Sequence, residues 1–592
     1  MKCHPGVTSS SHCAGRPRSV GQRGSRSGAT DPSRGRAATR ALARLLALLF
    51  LLSSCSDAPE PPERPRAGGT LHLLRTDHGI AHLDPQLDVV AEDAALAGGF
   101  LQRTLTAYQP APDGGRLVPD LATDTGRPSA DASAWTFTLR AGVSFEDGAP
   151  IGCDDVKYGV ARAFATRELP GPRAAGVRLL DIPLDATGQP TYHGPYATQG
   201  NDVAAFDRAV TCSADQRSIT FRLARPVGDF NGAVSQLAFS PVPRRADTGT
   251  GYEGHPVASG PYRIAENVPG ERLVLVRNER WSRASDPYRP AYPDRIELDS
   301  GLSAATVTAR LASDTGPASA LADTGADADP GTDGPGRRIE GFQPFVRYLA
   351  IDTRKVARLG QRQAILAAVD RAAVNAAFGS PPGTEADGLI SPSLGAAHEP
   401  THLWDSLLGQ RIGEHGDPAY ARRLIERSGA PMPALTLDYD QAPANDPVAR
   451  AIVDSLRRAG IEVTARPIGR AQYYRTISDP ATAGELMLSA WGADWPSAAT
   501  VIPQLLTMSG GHDLSRYDDR SFAADAATAA AEPDPAAAAR AWARLNRTAM
   551  AQAVAIPLRF DRERRRVGIG IGDAYIWPAY GTLPYPALWI RA

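Results

Sequence analysis

Several short segments of the chain alternate hydrophobic and polar residues, and this period of two predicts β-strands. The clearest case is segment 134–140, in which Trp135, Phe137 and Leu139 alternate with Thr, Ala and Arg. Similar strand-like runs lie at 69–74, 219–223, 272–277 and 461–465. Strands are therefore expected in both halves of the chain.

Between these strands, hydrophobic residues recur at the spacing of an amphipathic helix. In segment 154–164, Val156, Val160 and Phe164 share one face, and Asp154 is the expected N-cap. Further helices are predicted for 361–378, 417–428, 446–459 and 523–551, the last broken at 532–535 by two prolines. Residues 312–337, rich in Asp, Gly, Ala, Thr and Pro, predict a mobile surface loop. The mixture indicates an α/β protein.

The N-terminus has a different pattern. A short apolar run at 41–52 follows a stretch rich in Arg, Ser and Gly, which is typical of a secretory signal and too short to span a bilayer comfortably. The run ends in Leu52-Ser53-Ser54-Cys55, which resembles a bacterial lipobox, so lipid attachment at Cys55 is expected. The alternatives are a signal peptide with an incidental cysteine and a plain transmembrane anchor. The proline-rich stretch that follows, 55–68, predicts a tether.

Composition and cysteine content refine this picture. A length of 592 residues favours several domains, and a net charge of −1 provides no overall field for nucleic acid. Beyond Cys55 the chain keeps only Cys153 and Cys212, which suggests one disulfide in an exported protein. Two separate buried thiols are the alternative.

The familiar sequence signatures of enzymes and cofactor sites are missing. There is no His-Glu-x-x-His, Cys-x-x-Cys, Gly-x-Ser-x-Gly or P-loop motif, and the histidines are scattered. The glycines at 568–572 suggest a strand more than a phosphate-binding loop. We therefore expect no enzyme activity, no cofactor and no metal site.

Several short motifs, in the same order along the chain, resemble those of the family 5 extracellular solute-binding proteins, the oligopeptide and dipeptide binders of ABC transporters. The resemblance covers roughly residues 68–592. The matching segments are 68–71, 82–86, 117–122, 140–148, 154–158, 259–262, 276–278, 362–371 and 491–496.

This resemblance implies a two-lobed fold of the type II periplasmic binding protein class, with an extra subdomain and a ligand cleft between the lobes. The implied divisions are a signal peptide at 1–54, a tether at 55–68, lobe I at 69–106, 236–350 and 561–592, its extra subdomain at 107–235, and lobe II at 351–560. Closure of the two lobes around a solute would let a transporter distinguish loaded from empty protein.

The segment Trp491-Gly492-Ala493-Asp494-Trp495-Pro496 resembles the cleft loop of the family. By that resemblance, Asp494 pairs with the α-amino group of a peptide, and the backbone of Trp491 and Gly492 pairs with the extended ligand. Trp491 and Trp495 would line the pocket. The alternative is that both tryptophans are ordinary core residues and that Asp494 caps a turn.

Two positions depart from the peptide-binding pattern. Some members carry a glutamate that helps to hold the ligand amine, whereas the matching position here is about Val89, with Asp88 and Glu92 nearby. An acidic residue often follows the proline of the cleft loop, and residues 497–499 here are Ser-Ala-Ala. The amine site is therefore expected to be less acidic.

The function implied is that of a monomeric substrate-binding lipoprotein at the extracellular face of the cell membrane. It would capture oligopeptides and deliver them to the permease subunits of an ABC importer, without nucleic acid as a partner. Alternatives with the same fold are receptors for an oligosaccharide, an opine-like compound or a metal chelate. A receptor for peptide signals and a lipid-anchored hydrolase come from other functional classes.

Overall fold

The structure is a computed structural model that describes residues 64–87, 90–171, 173–313, 320–323, 337–381 and 383–591. The segments with alternating hydrophobic and polar residues are strands in it. The predicted leader and Cys55 lie outside these ranges. In chain order the strands are β1 (Thr70–Arg75), β2 (Thr106–Gln109), β3 (Arg116–Pro119), β4 (Arg127–Pro128), β5 (Ala134–Thr138), β6 (Val210–Cys212), β7 (Ser218–Arg222), β8 (Tyr262–Val268), β9 (Arg272–Arg277), β10 (Arg295–Asp299), β11 (Ala320–Asp323), β12 (Arg337–Ile351), β13 (Thr384–Glu385), β14 (Leu435–Asp440), β15 (Val463–Ile468), β16 (Leu486–Gly492), β17 (Ala555–Val567), β18 (Ile571–Gly572) and β19 (Trp589–Ile590).

Several helices begin at a side chain that caps their first turn, as at Asp202, Ser303 and Asp417. They are α1 (Ala91–Phe100), α2 (Cys153–Arg162), α3 (Val203–Ala209), α4 (Phe230–Ala233), α5 (Ala304–Ala312), α6 (Leu359–Ala368), α7 (Arg371–Ala377), α8 (Pro418–Arg427), α9 (Asn445–Arg458), α10 (Arg470–Ser478), α11 (Ile502–Leu506), α12 (Arg520–Ala531) and α13 (Pro535–Ala551). Within the described ranges, no helix combines the length and the apolar character that a membrane span requires.

Two helix predictions need correction. The helix predicted for 154–164 begins one residue earlier, and Gly152 rather than Asp154 is its N-cap; the N–H of Gly152 donates to the carboxylate of Asp155 at 2.9 Å. The segment 361–378 forms two helices rather than one. Its chain turns at Asp370, whose carboxylate accepts the N–H of Ala373 at 2.9 Å and so starts α7.

The loop predicted for 312–337 is wrong at residues 320–323, and its residues 314–319 and 324–336 lie outside the described ranges. Residues 320–323 of this segment form β11, which pairs in parallel with β1 and antiparallel with β17. Neighbouring strands supply the hydrogen-bond partners for this short segment, so its composition alone did not reveal it.

One mixed sheet of 11 strands forms the framework, in the order β15-β14-β16-β12-β17-β11-β1-β10-β9-β8, with β13 also pairing with β17. The long strands β12 and β17, of 15 and 13 residues, pair antiparallel at its centre. Their register shifts between Phe342 and Val346. Such an irregularity bends the strands, and it lies where the sheet passes from one lobe to the other.

The buried hydrophobic residues form two large and separate cores. The first core contains residues between 71 and 298 and between 567 and 590, and it also contains Trp495. The second core consists of residues between 346 and 560. Two cores joined by two long strands confirm the predicted two-lobed α/β fold, with the first core in lobe I and the second in lobe II. The detailed domain boundaries stay a prediction.

Lobe I carries the extra subdomain, which contains a four-stranded sheet in the order β4-β5-β7-β6. The predicted disulfide is present: Cys153, the first residue of α2, is bonded to Cys212 at the end of β6, with the two Cα atoms 5.8 Å apart. The bond connects the helix to the edge of the sheet.

The Leu-Asp-Pro turn at 83–85 has a structural role. The Asp84 carboxylate accepts two hydrogen bonds from the guanidinium of Arg162 on α2, at 2.9 and 2.7 Å, and both side chains are fully buried. A two-point contact of this kind is strong and directional. It fixes the start of lobe I to the extra subdomain.

Candidate functional site

A central cavity of about 550 Å³ lies where the cleft loop of lobe II meets lobe I. This volume is within the usual range for small-ligand sites. Residues from the two lobes and from the extra subdomain line it. They include Ala91, Arg178, Gln236, Arg289, Phe345, Trp491, Asp494 and Tyr580.

Asp494 carries the main chemical feature of this cavity. Its backbone is held in place, because its N–H donates to the hydroxyl of Thr500 at 3.2 Å and its carbonyl accepts from the Gln236 side-chain amide at 3.3 Å. Its carboxylate oxygen Oδ2 is buried and has no hydrogen-bond partner among the described residues. A buried polar atom in this state favours a ligand that can donate to it.

The electrostatics of Asp494 favour a positively charged ligand. Burial raises the pKa of its carboxyl to about 6, and the positive charge of Arg178 opposes this rise. The carboxylate is therefore poorly solvated, and no described residue forms an ion pair with it. Such a group gains most from a positively charged ligand.

Trp491 and Gly492 end strand β16 and form one wall of the cavity. The indole N–H of Trp491 donates to the carbonyl of Thr500 at 2.7 Å, and its ring stacks on His512 with centroids 5.2 Å apart. Gly492 faces Phe345 so closely that a Cβ atom would lie 2.6 Å from its ring. Both residues are thus fixed in position before any ligand arrives.

One backbone edge of this wall is open. Strand β16 pairs with β12 along 486–492, but its pairing with β14 covers only Leu486 and Met487. In the described part of the chain, no strand pairs with residues 489–492 on that second edge. An open edge beside a cavity is the arrangement in which an extended peptide adds as a further strand.

Trp495 lines the cavity and also packs into the other lobe. Its ring is buried in the core of lobe I, and its indole N–H donates to Asp229 of that lobe at 2.9 Å. A second contact between the lobes is the bond from the N–H of Gly228 to the carbonyl of Ala530, at 2.7 Å. Trp495 therefore also joins the two lobes.

The position predicted near Val89 lies outside the described residues, as does Asp88. Glu92 lies in the described part, and Arg565 donates to its carboxylate at 2.7 and 2.9 Å, with the Tyr585 hydroxyl at 3.0 Å. Although burial opposes it, the charge of Arg565 keeps the pKa of Glu92 at about 2. Glu92 is therefore ionised, and the positive charge of Arg565 already compensates its negative charge.

Several lining residues were not predicted from the sequence. Arg178 lines the cavity from the short 3-10 helix Gly176–Leu179, and Arg173 lies just before this helix, while Tyr288, Arg289 and Tyr580 come from lobe I. They belong to no recognisable motif, and only the folding of distant segments brings them together. In the described ranges, no group of three or more His, Cys, Asp or Glu residues is arranged to hold a metal ion.

Comparisons with known proteins agree with this architecture. Residues 116–513 match the family described as bacterial extracellular solute-binding proteins, family 5 middle. A solved structure named clavulanic acid biosynthesis oligopeptide binding protein 2 is 32% identical, with a TM-score of 0.76 over 89% of this chain and 96% of that one.

Two further comparisons concern murein peptide binders. The Escherichia coli periplasmic murein peptide-binding protein MppA is 28% identical over 180 residues, which is 29% of this chain and only 30% of that relative's length. The open, unliganded MppA structure has a TM-score of 0.67 at 19% identity, over 89% of this chain and 97% of that one. A similarity at this level of identity supports the fold alone.

Proposed function

Since this chain belongs to the bacterial extracellular solute-binding proteins of family 5, we propose that it captures oligopeptides in its central cavity and delivers them to the membrane subunits of an ABC importer. The observation that carries this proposal is the buried, unpaired carboxylate oxygen of Asp494 in the cavity wall. A peptide α-ammonium group would supply the missing charge and hydrogen bond.

The open edge of β16 supports the same ligand class. Residues 489–492 would bond to the backbone of an extended peptide, and backbone pairing tolerates many side chains. The names of the compared proteins, an oligopeptide binder and a murein peptide binder, are consistent with this class of ligand. A peptide lying along β16 would place its N-terminus beside Asp494.

We further propose that the protein works at the extracellular face of the cell membrane, held there by lipid on Cys55. The lipobox-like end of the apolar run supports this location. The family description, which names extracellular proteins, is consistent with it. Stable anchoring requires more than one acyl chain, since a single chain binds membranes only marginally.

The proposal is tested by calorimetry with trialanine and N-acetyltrialanine on the parent protein and on Asp494→Asn. Free trialanine is expected to bind the variant at least about 30-fold more weakly, because losing one partner of a buried charge pair costs roughly 2 kcal/mol or more. The acetylated peptide should bind the parent weakly and lose little more in the variant.

Asp525→Asn is the matched control, since Asp525 is an exposed acid on α12 that does not line the central cavity. It should bind trialanine as the parent does. Mass spectrometry of any solute that co-purifies with the protein gives an independent result. A co-purifying oligosaccharide, opine-like compound or metal chelate, together with equal binding of free and acetylated peptides, would contradict the proposal.

A further inference from the structure

A second cavity, of about 480 Å³, lies beside the central one, and Pro496 lines both. Lobe I contributes Tyr108 and Asp229 to its wall, and lobe II contributes segment 496–499, the end of α12 and the start of α13. Trp495 lines the central cavity, whereas its hydrogen-bond acceptor Asp229 lines the second one. The contact between these two side chains therefore lies between the cavities.

Asp229 has unused capacity to accept hydrogen bonds. Its oxygen Oδ2 accepts the indole N–H of Trp495 at 2.9 Å, but its oxygen Oδ1 is buried and has no well-aligned hydrogen-bond donor among the described residues. Burial raises the pKa of this carboxyl, and the Ser497 hydroxyl, the Trp495 indole and the charge of Arg225 oppose this rise. Such a carboxylate gains from a ligand that donates to it.

The charged residues that line this cavity are all acidic. Glu532, at the turn between α12 and α13 of lobe II, is half-buried and lines it opposite the lobe I residues. Among the described residues that line the second cavity, none is Arg, Lys or His, whereas three arginines line the central cavity. The second cavity therefore favours a cation, with one carboxylate from each lobe.

The rest of the wall is apolar and made of small side chains. Eight alanines line the cavity, together with Leu394 and Trp542, so its volume is not filled from within. Gly232 also has to be small, because a Cβ atom there would lie 2.8 Å from the Trp495 ring. Hard metal ions require about six or more oxygen ligands, which such walls do not supply. An organic cation with a short alkyl chain matches both the charge and the apolar surface.

We propose that this second cavity binds a small organic ammonium ion, with its charge at Asp229 and its alkyl chain against the alanine wall. The site goes beyond the proposed function, because it is separate from the peptide cavity. Since both lobes line it, a bound cation stabilises the contact between them and favours the arrangement that encloses a peptide. The two ligands then strengthen each other's binding by the same factor.

Calorimetry with n-butylammonium chloride, at an ionic strength held constant with NaCl, tests the site. Asp229→Asn should bind the cation at least about tenfold more weakly, while its amide oxygen still accepts the Trp495 indole N–H. Glu532→Gln should bind it about threefold more weakly, because water screens a half-buried acid. Neutral n-butanol should bind the parent and both variants alike.

Two controls separate this site from the central cavity and from general charge effects. Asp525→Asn, at an exposed acid of α12 outside both cavities, should bind n-butylammonium as the parent does. Asp494→Asn should keep n-butylammonium binding, since the second cavity does not use that residue. With trialanine at saturation in the central cavity, the parent should bind n-butylammonium about fivefold more tightly than without it.

Equal n-butylammonium affinity of the parent, Asp229→Asn and Glu532→Gln overturns the proposal. Loss of the cation in Asp494→Asn, together with its displacement by trialanine, also overturns it, since the cation would then bind in the central cavity. If Asp229→Asn does not fold, an unchanged affinity of Glu532→Gln is sufficient to reject the site. If the parent does not bind trialanine but Asp229→Asn weakens n-butylammonium, the peptide function is wrong and the cation site stands.

Discussion

The ionisation of Asp494 should control peptide affinity. An ammonium group pairs with the carboxylate but not with the neutral acid, and the pKa of Asp494 in the empty cavity is about 6. The perturbation is therefore a change of pH between 5 and 7. Affinity for a free peptide is expected to rise over this interval and then to level off.

The magnitude follows from the fraction of Asp494 that is ionised. One pH unit below a pKa of about 6, roughly one molecule in eleven carries the charge. Binding at pH 5 should thus be about tenfold weaker than the plateau reached above pH 7, and binding at pH 6 about twofold weaker. The α-amine of the peptide titrates near pH 8, so it stays charged over this range.

The same pKa predicts the opposite effect on folding. The folded protein holds a proton on Asp494 up to about pH 6, whereas an unfolded aspartate releases it near 3.8. The native state binds more protons between these values, so the empty parent loses stability as pH rises from about 4 to 6, by at most about 3 kcal/mol. Asp494→Asn should lack this loss.

The assay is titration calorimetry of trialanine at pH 5, 6 and 7, with thermal unfolding of the empty protein at pH 4 and 7. The nearby groups do not produce the same profile. Burial lowers the pKa of His512, which stacks on Trp491, to about 4, and Glu92 is ionised above a pKa of about 2.

Constant trialanine affinity between pH 5 and 7 would refute this account of Asp494. The same holds if Asp494→Asn keeps the full pH dependence, since another group would then be responsible. N-acetyltrialanine serves as the ligand control. It has no ammonium group, so its binding should not strengthen as pH rises.

Three further predictions concern other parts of the chain. Cys55→Ala should release the protein from membranes into the medium, as fractionation would show, and unchanged retention would count against lipid anchoring. Thiol labelling of the denatured, unreduced protein should find no free thiol at Cys153 or Cys212; breaking this bond should cost roughly 2–4 kcal/mol in chemical unfolding. Trp495→Phe removes the hydrogen bond to Asp229 between the lobes, so small-angle scattering of the ligand-free variant should give a larger radius of gyration. An unchanged radius of gyration would show that this hydrogen bond does not hold the lobes together.

Local patterns were sufficient for many individual elements. The alternation at 134–140 corresponds to β5, and the prolines at 533 and 535 separate α12 from α13 as expected. These features depend on neighbours in sequence, because side-chain alternation and a missing proline N–H act within a few residues. The start of α2 was missed because the carboxylate of Asp155 accepts the N–H of Gly152, which places the N-cap two residues before Asp154. The break at Asp370 was missed because its carboxylate starts a second helix inside a segment of continuous helical periodicity.

For the site, the sequence by itself indicated segment 491–496, which lines the cavity. The order of motifs identified the family and singled out Asp494 and Trp491, and two cysteines in an exported chain were enough to predict their bond. These conclusions needed only residue types and their order along the chain, and no knowledge of which residues are in contact.

Only the tertiary structure decided which charges are free. The negative charge of Glu92 is compensated by Arg565, which lies more than 400 positions away in the chain. In contrast, the carboxylate oxygen Oδ2 of Asp494 has no hydrogen-bond partner among the described residues. Arg178 likewise faces the cavity without an acidic partner in the described ranges. The sequence shows that a charge exists, but its free energy depends on burial and on partners within a few ångströms. Those partners come from distant segments that meet only when the two lobes fold.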